Sequence, residues 1–315
     1  MLDQLISIIT GQPINSGTPS LAVVSTAAPT PNPNLAYMPL VPTNTPIPSA
    51  ATSPALSAIP STGLNPSFSP SSGVLPSAIL SFTPTPSAPP NSSSGTQPIA
   101  LVYHDASTDC CAQTLATMIQ NDTKWNFKVL LVGPSESTSV QAGLALPGAK
   151  LYAQPGGNGD DTTAFAAQQG DVTAIQNFVK NGGRFLGVCM GGYLAGKDMF
   201  GVFPVPANEY ITEPGASTTS TADTVIPITW RGKVRQMYFQ DGPSFIIPAG
   251  TPGVTVLATY SNGEVADAVA TYGSGKTAVS GPHPEADQSW YSAYKLPYPG
   301  STQDLGNDLI DTLMQ

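Results

Sequence analysis

Charged side chains divide this chain into two unlike parts. Residues 1–97 hold one of them, Asp3, whereas all 11 Lys and Arg residues and 19 of the 20 Asp and Glu residues lie in residues 98–315. The first part also holds 18 of the 33 prolines, which lack a backbone donor and disfavour helix in the preceding residue. We therefore expect a disordered Pro/Ser/Thr-rich segment over residues 1–97, followed by one globular domain over residues 98–315.

The composition of the first segment also bears on where the protein acts. Ser/Thr/Pro-rich sequence is typical of O-glycosylated stalks, and Asn91 and Asn121 each open an N-glycosylation triplet. These features favour an extracellular or cell-surface protein. The first residues lack the basic start and the longer apolar centre of a signal peptide. Two alternatives therefore stay open, a cytoplasmic chain or a signal peptide missing upstream. Residues 2–9 favour a short helix.

The acidic balance excludes several classes of partner. The chain carries a net charge of -9, whereas nucleic-acid binding requires clustered Lys and Arg. The densest basic run, residues 230–235, alternates its three charges as a solvated strand face does, so nucleic acid is not an expected partner. No run of 18 or more apolar residues occurs, so the sequence predicts no transmembrane segment. Nothing in the pattern indicates an oligomeric state.

Metal and cofactor sites are not expected either. The chain has two histidines and no close carboxylate cluster. Residues 270–277 fit a relaxed phosphate-loop pattern, but a phosphate loop must open a helix. Here a strand-like stretch follows, and Pro282 breaks it. A Gly-Ser-Gly turn between two strands is the better interpretation.

The three cysteines do not form a disulfide framework. Cys110 and Cys111 are adjacent at the start of a helix predicted over residues 110–120, where neighbouring side chains point about 100° apart. The sequence therefore predicts that they are not bonded to each other and that both are small buried hydrophobic residues.

From residue 98 onwards, short apolar runs alternate with helical patterns. Strands are predicted over residues 98–103, 127–132, 149–154 and 184–188, and helices over residues 110–120 and 172–179. This alternation favours parallel pairing with helices on both faces of the sheet. Further strands are predicted over residues 225–230, 234–239, 254–260, 265–272 and 277–280, and a final helix over residues 304–314. The predicted fold class is α/β, a flavodoxin-like, mostly parallel sheet with an antiparallel β extension.

Ligands of such sheets bind at the carboxyl ends of the strands, and Cys189 directly follows the strand predicted at 184–188. Residues 187–191 read Gly-Val-Cys-Met-Gly, the nucleophile-elbow form with Cys in place of Ser. Glycines two residues before and after leave room for a tight strand-to-helix turn, and the start of a helix beside the sulfur favours the thiolate. Cys189 is therefore the candidate nucleophile.

A cysteine nucleophile needs a base. His283 lies in Gly-Pro-His-Pro-Glu at residues 281–285, where Glu285 can hold the imidazole tautomer as the third member of a triad does. The other histidine, His104, ends the first predicted strand. It is a candidate to line the pocket, or else an ordinary strand-end residue.

The elbow, the Pro-Gly-Gly sequence at residues 155–157 and the Gly-Pro-His-Pro-Glu sequence together resemble class I glutamine amidotransferase-like domains. They are similar above all to the branch found as the N-terminal domain of biotin–protein ligases, as is the sequence of residues 238–245. The resemblance covers roughly residues 98–295. It implies Cys189 as nucleophile, His283 as base and Glu285 as its partner, with the backbone N–H groups of Gly157 and Met190 as the oxyanion hole.

Two features depart from that family. Its glutaminases carry Gln four residues after the nucleophile, where this chain has Tyr193, so glutamine is a doubtful substrate. Only 30 residues follow Glu285, so we expect no biotin-ligase catalytic domain. The sequence thus predicts a cysteine-dependent hydrolase or amidotransferase-like enzyme that acts on a small-molecule or peptide-like acyl substrate. The residues expected to bind that substrate are His104, Gly156, Tyr193 and Asp241. The alternatives are a non-catalytic small-molecule binding module on the same fold and an interaction domain displayed on a stalk.

Overall fold

A computed structural model of the chain describes residues 97–315. Residues 1–96, which make up nearly all of the segment expected to be disordered, lie outside the described residues, and so does the short helix expected over residues 2–9. The division of the chain at residue 97 therefore stays a prediction.

A nine-stranded sheet forms the centre of the domain, in the order β2-β1-β3-β4-β11-β10-β9-β6-β7. Its strands are β1 (Ile99–Tyr103), β2 (Lys128–Val132), β3 (Ala149–Gln154), β4 (Arg184–Val188), β6 (Thr224–Trp230), β7 (Lys233–Phe239), β9 (Val254–Tyr260), β10 (Val265–Tyr272) and β11 (Gly275–Ser280). Two further short strands, β5 (Asn208–Glu209) and β8 (Pro243–Ser244), pair with each other.

The first five strands of that order are parallel, and the rest pair antiparallel. The parallel half has the strand order of the flavodoxin-like fold, with β11 as its fifth strand. The predicted fold class is confirmed in these residues. One detail of the prediction was wrong, because residues 277–280 were assigned to the antiparallel extension. β11 is antiparallel to β10 but parallel to β4, so it joins the two halves of the sheet.

Seven helices complete the described part of the chain. They are α1 (Ala112–Asn121), α2 (Val140–Leu144), α3 (Asp161–Gln168), α4 (Val172–Lys180), α5 (Met190–Ala195), α6 (Gln288–Ala293) and α7 (Gln303–Met314), and a single 3-10 turn covers Tyr210–Thr212. Within residues 97–315, no helix combines the length and the apolar character that crossing a bilayer requires.

Side chains that alternate along the parallel strands build two cores, one on each face of the sheet. Val102 of β1 packs in a core with Leu309 of α7, whereas its neighbour Leu101 packs in the other core with Ile175 of α4. All four side chains are fully buried. Burying a side chain of this size contributes about 1.5–3 kcal/mol. The helices on both faces thereby hold the carboxyl ends of the parallel strands at one fixed edge.

Ion pairs join the far end of the sheet to α7. Arg231 contacts Asp308 through two nitrogens, at 2.6 and 3.1 Å, and Arg235 contacts Asp304 in the same way, at 2.8 and 3.0 Å. Two of the three charges in the basic run that was expected as a solvated strand face are thus paired with acidic residues of the last helix.

Candidate functional site

Cys189 occupies a strained turn between β4 and α5. Its backbone has φ 51° and ψ -112°, a conformation that residues other than glycine rarely adopt. A Cβ on Gly187 would collide with the Gly191 carbonyl oxygen, and a Cβ on Gly191 would collide with the Gln154 carbonyl oxygen. The two glycines of the elbow are therefore required by the close approach of the backbone, as the sequence motif indicates.

His283 lies beside the Cys189 thiol and is itself held in place by its neighbours. Its backbone N–H donates to the Tyr238 carbonyl oxygen at 2.9 Å, and its Nδ1 lies 2.9 Å from Glu285 Oε1. The ring and the Cys189 side chain meet at Gly156, where a Cβ would lie 2.8 Å from His283 Cε1 and 3.5 Å from the Cβ of Cys189. His283 is 2% exposed and Glu285 is 0% exposed, so the histidine and the carboxylate form a buried pair next to the sulfur.

Opposing effects set the charge of His283. Burial disfavours the imidazolium and lowers its pKa. The electrostatic effects of the nearby Glu285 and Cys189 side chains outweigh burial and raise the pKa to about 10. At neutral pH the arrangement therefore favours the imidazolium form of His283.

A further buried carboxyl group lies behind this pair. Asp267 of β10 is opposite Ser280 of β11 and is fully buried, which raises its pKa to about 8. The negative charge of Glu285 acts in the same direction. Burial therefore favours the protonated form of the Asp267 carboxyl group.

Gly156, in the loop after β3, closes the other side of the site. A Cβ at this position would lie 2.8 Å from His283 Cε1, 3.4 Å from Cys111 Sγ and 3.5 Å from the Cβ of Cys189. Three side chains thus converge on one point where only a hydrogen atom fits. Gly156 was expected at the substrate, and the structure brings it directly against the Cys189 and His283 side chains.

The two expected oxyanion donors are the backbone N–H groups that come directly after Gly156 and Cys189 in the sequence. Gly157 follows Gly156, and Met190 is the first residue of α5. Neither backbone N–H donates to another of the described residues. Both donors are therefore available to a ligand.

His104 lies further out in the loop after β1. Its Nδ1 contacts Glu136 at 2.6 Å and its Nε2 contacts Asp109 at 2.7 Å. The hydrogen bond to Glu136 is the largest influence on its pKa, which is raised. With both nitrogens engaged, His104 fastens the loop of residues 104–111. That loop packs against the loop that follows β3, where the Asn158 backbone N–H donates to the Ser107 carbonyl oxygen at 2.8 Å.

Tyr193 and Asp241 complete the set of predicted substrate residues. Tyr193 lies on α5, and burial raises its pKa, as do the nearby charges of Asp241 and Cys189. Asp241 follows β7 at φ 48°, and the preceding residue, Gln240, offers its carbonyl oxygen to the Cys189 thiol at 3.4 Å. Asp241 Oδ1 is buried without a hydrogen-bond partner in the described part of the chain. The chain at residues 240–241 therefore lies on the Cys189 side of the site.

The prediction for the paired cysteines was wrong. Cys110 and Cys111 are joined by a disulfide bond, and Cys110 is exposed while Cys111 is buried. The physical reason is that α1 begins at Ala112. Both cysteines therefore lie in the turns before the helix, where the 100° spacing of helical side chains does not apply.

Sequence reasoning also missed the aromatic surroundings of His283. The Trp290 ring lies 5.1 Å from the imidazole, centroid to centroid, and the Tyr238 ring lies 5.8 Å from it. Trp290 belongs to α6, a helix of six residues that is too short to show a helical period. The one available signal was its position seven residues after His283.

Comparison with solved structures finds distant likenesses. A glutamine amidotransferase from Thermotoga maritima is 15% identical, with 70% of this chain and 90% of that chain covered and a TM-score of 0.44. A second glutamine amidotransferase is 17% identical, with 59% and 90% covered and a TM-score of 0.42. A beta-galactosidase from Bacillus circulans is 15% identical, with 69% and 31% covered and a TM-score of 0.40. The search of curated proteins found no match.

Comparison with protein families gives a more direct result. The family described as "Biotin-protein ligase, N terminal" matches residues 100–205. This segment contains Gly156, Gly157 and the elbow around Cys189, but it ends before His283 and Glu285. The resemblance to the N-terminal domain of biotin–protein ligases, predicted from the short motifs, is thus confirmed over residues 100–205.

Proposed function

We propose that this protein is a cysteine-dependent hydrolase or amidotransferase-like enzyme acting on a small-molecule or peptide-like acyl substrate. The observation that carries the proposal is the juxtaposition of Cys189, on a strained elbow, with a buried His283 that meets the Cys189 side chain at Gly156 and lies 2.9 Å from Glu285. Nucleophile, base and orienting group then stand in the order that nucleophilic catalysis requires.

The residues divide the chemistry as follows. The Cys189 thiolate attacks the carbonyl carbon, and the Gly157 and Met190 N–H groups donate to the oxyanion that develops. Each such donor is worth roughly 3–4 kcal/mol in related acyl-transfer reactions. His283 gives its proton to the leaving group, and an acyl thioester forms on Cys189. His283 then accepts a proton from the incoming water or amine, and Glu285 holds the ring in orientation throughout.

The side chains around Cys189 bear on the class of substrate. Tyr193 stands where glutaminases of the resembling family carry Gln, so the site lacks that side chain's amide. The buried Asp241 Oδ1 and the rings of Tyr193 and Trp290 instead offer a hydrogen-bond acceptor and apolar surfaces near the nucleophile. We therefore propose an acyl or amide group other than that of glutamine.

Thiol labelling tests the proposal. The chain carrying Cys110→Ser and Cys111→Ser retains one thiol, Cys189, so its rate of alkylation by iodoacetamide reports on that sulfur alone. We expect His283→Ala in this background to slow labelling at least tenfold, in line with the roughly 10²–10⁴-fold effects of positioned bases. Gly170→Ala is the control and leaves the rate unchanged, because a Cβ at Gly170 meets nothing within 4 Å.

An acyl adduct provides the second measurement. Incubation with p-nitrophenyl acetate, followed by acid quenching and mass spectrometry, is expected to detect acetylated Cys189 that turns over when His283 is present. Unchanged labelling in His283→Ala, with thermal unfolding showing an intact fold, would contradict the proposal and favour the non-catalytic binding module.

A further inference from the structure

Two of the three cysteines, Cys111 and Cys189, meet at the candidate site, and the third, Cys110, is bonded to Cys111. Cys110 and Cys111 are disulfide-bonded, and Cys189 is the free thiol. Cys111 Sγ and the Cβ of Cys189 lie 3.4 and 3.5 Å from one common point, the position of a Cβ on Gly156. A disulfide bond therefore lies next to the candidate nucleophile, although nothing in the proposed acyl chemistry uses it.

The two bonded sulfurs differ in their surroundings. Cys111 is 5% exposed and faces the site, whereas Cys110 is exposed to solvent. A thiolate that attacks Cys111 from the site therefore displaces Cys110 towards water, where the leaving sulfur is solvated. Thiol–disulfide exchange proceeds by this kind of attack, and it depends on the attacking thiolate, the leaving group and access.

We propose that Cys189 and the Cys110–Cys111 disulfide form an internal thiol–disulfide exchange site. Cys189 Sγ attacks Cys111 Sγ, the bond between Cys111 and Cys110 breaks, and Cys110 leaves as a thiolate while a Cys111–Cys189 disulfide forms. One disulfide and one thiolate are present before and after the step, so no external oxidant or reductant is needed. Attack of the Cys110 thiolate on Cys111 Sγ reverses it.

The loop that carries the disulfide is anchored so that this geometry persists. The Asp105 carboxylate accepts from the Ser107 and Thr108 backbone N–H groups at 2.9 and 3.1 Å, and His104 bridges Asp109 and Glu136. Exchange withdraws the nucleophile from the site, so the chain would pass between an active thiol form and an inactive disulfide form. The inference rests on the thiolate reactivity proposed for Cys189.

Peptide mapping tests the exchange on the full chain. After mild oxidation with diamide, the protein is denatured at low pH in N-ethylmaleimide and digested with trypsin and an endoproteinase that cleaves before Asp. Residues 109–121 then separate from residues 185–197. We expect one capped thiol per chain, divided between Cys189 and Cys110, and a disulfide-linked pair of these two peptides. Capping at Cys189 alone without the linked pair, or three capped thiols, would overturn the proposal.

Two variants with the same number of thiols sharpen the test. In Cys110→Ser, oxidation is expected to link Cys111 to Cys189. In Cys111→Ser, the link to Cys189 is expected to be lost, because Cys110 faces solvent. Equal linking in both variants would also overturn the proposal. Failure here is distinguishable from failure of the proposed function, because the His283-dependent labelling rate is measured in a chain that lacks both Cys110 and Cys111.

Discussion

The lack of a side chain at Gly156 determines how closely the side chains of the candidate site approach one another. Its missing Cβ leaves room for His283 Cε1, Cys111 Sγ and the Cβ of Cys189, all within 3.5 Å of that one position. Contact at 2.8 Å with the imidazole is too short for a real Cβ, and the ring is enclosed by Tyr238 and Trp290. A methyl group here must therefore push the imidazole away from the sulfur.

Gly156→Ala is expected to reduce the rate of Cys189 alkylation by about 10- to 100-fold, since misplacement of a catalytic group by about 1 Å has effects of this size. Gly170→Ala is the control, because a Cβ at Gly170 meets nothing within 4 Å. The rates are measured by mass spectrometry beside the thermal unfolding curve of each variant. A folded Gly156→Ala chain with an unaltered rate would show that the imidazole does not act on the sulfur.

The charge of His283 depends on Glu285, and the chain has only two histidines through which to observe it. In Glu285→Gln the pKa of His283 is expected to fall by about 1–3, the usual effect of removing an adjacent opposite charge. Proton NMR titration of the two imidazoles measures this, with His104→Asn giving the assignment. Glu136→Gln is the reciprocal control and should lower the pKa of His104 while leaving His283 unmoved.

The same pKa has a consequence for stability. Folding raises the pKa of His283 from its ordinary 6.5 to about 10, so the folded state holds the proton more tightly than the unfolded state does. The resulting stabilisation is complete below pH 6.5 and is lost as pH rises through 10. Urea unfolding at intervals between pH 6.5 and 10 should show a smaller loss in Glu285→Gln than in the unaltered chain.

At the scale of elements, α7 shows why similar ion pairs differ in their contribution to the free energy of unfolding. Asp304 contacts Arg235 alone and is largely exposed, whereas Asp308 accepts from Arg231 and also from the indole N–H of Trp230, at 2.7 Å. Trp230 is 4% exposed. Loss of Asp308 therefore leaves a buried donor without its partner, and loss of Asp304 does not.

Asp308→Ala is expected to lower the free energy of unfolding by about 2 kcal/mol, the usual cost of an orphaned buried donor together with a lost charged hydrogen bond. Asp304→Ala is expected to lower it by at most about 1 kcal/mol, as for other exposed ion pairs. Urea unfolding at pH 7 compares the two variants. Equal losses would mean that the Trp230 contact contributes nothing.

Elements were predictable from the sequence where one local signal defined them. β3 and β4 match their predicted ranges because each is an apolar run that ends at a glycine-bearing turn. α2 and α6 were missed because five or six residues carry no measurable period. β5 and β8 were missed because a two-residue strand exists only through its partner. The parallel pairing of β11 with β4 likewise depends on residues far apart in the chain.

The residues of the candidate site also differ in whether a local sequence signal identifies them. Cys189, His283 and Glu285 were identifiable because each lies in a motif whose spacing carries its chemistry. Cys111 and Trp290 were not, because the loop after β1 and the short helix α6 reach the site only when the sheet has formed. The vicinal disulfide was missed for a local reason, since a shift of two residues in the predicted start of α1 moved both cysteines out of the helix.

At the scale of the whole molecule, the candidate site residues that follow the parallel strands lie at one edge of the sheet. His104 follows β1, Gly156 follows β3, Cys189 follows β4 and His283 follows β11. In the order β2-β1-β3-β4-β11, the connections reverse direction between β1 and β3, where ligands of such folds bind. The loops that meet there carry Cys111 and Gly156, so the disulfide lies at the crevice where the topology favours a ligand.

This arrangement makes residues 97–315 a candidate for an independently folding unit. Both cores described above are built from residues between 99 and 314, and the candidate triad and the disulfide lie in the same range. The preceding residues offer one charge and 18 prolines, a composition with little apolar surface in a regular pattern to bury.

A chain that begins at residue 97 is therefore expected to keep the melting temperature within about 2 °C, a shift below that of a 1 kcal/mol change. The rate of Cys189 alkylation should also be unchanged. A chain that begins at residue 104 is the control and should not fold, because it lacks β1, which lies between β2 and β3. Differential scanning calorimetry compares the three chains. A large fall in the melting temperature of the 97–315 chain would mean that the proline-rich segment contributes contacts to the domain, and the boundary proposed at residue 97 would then be wrong.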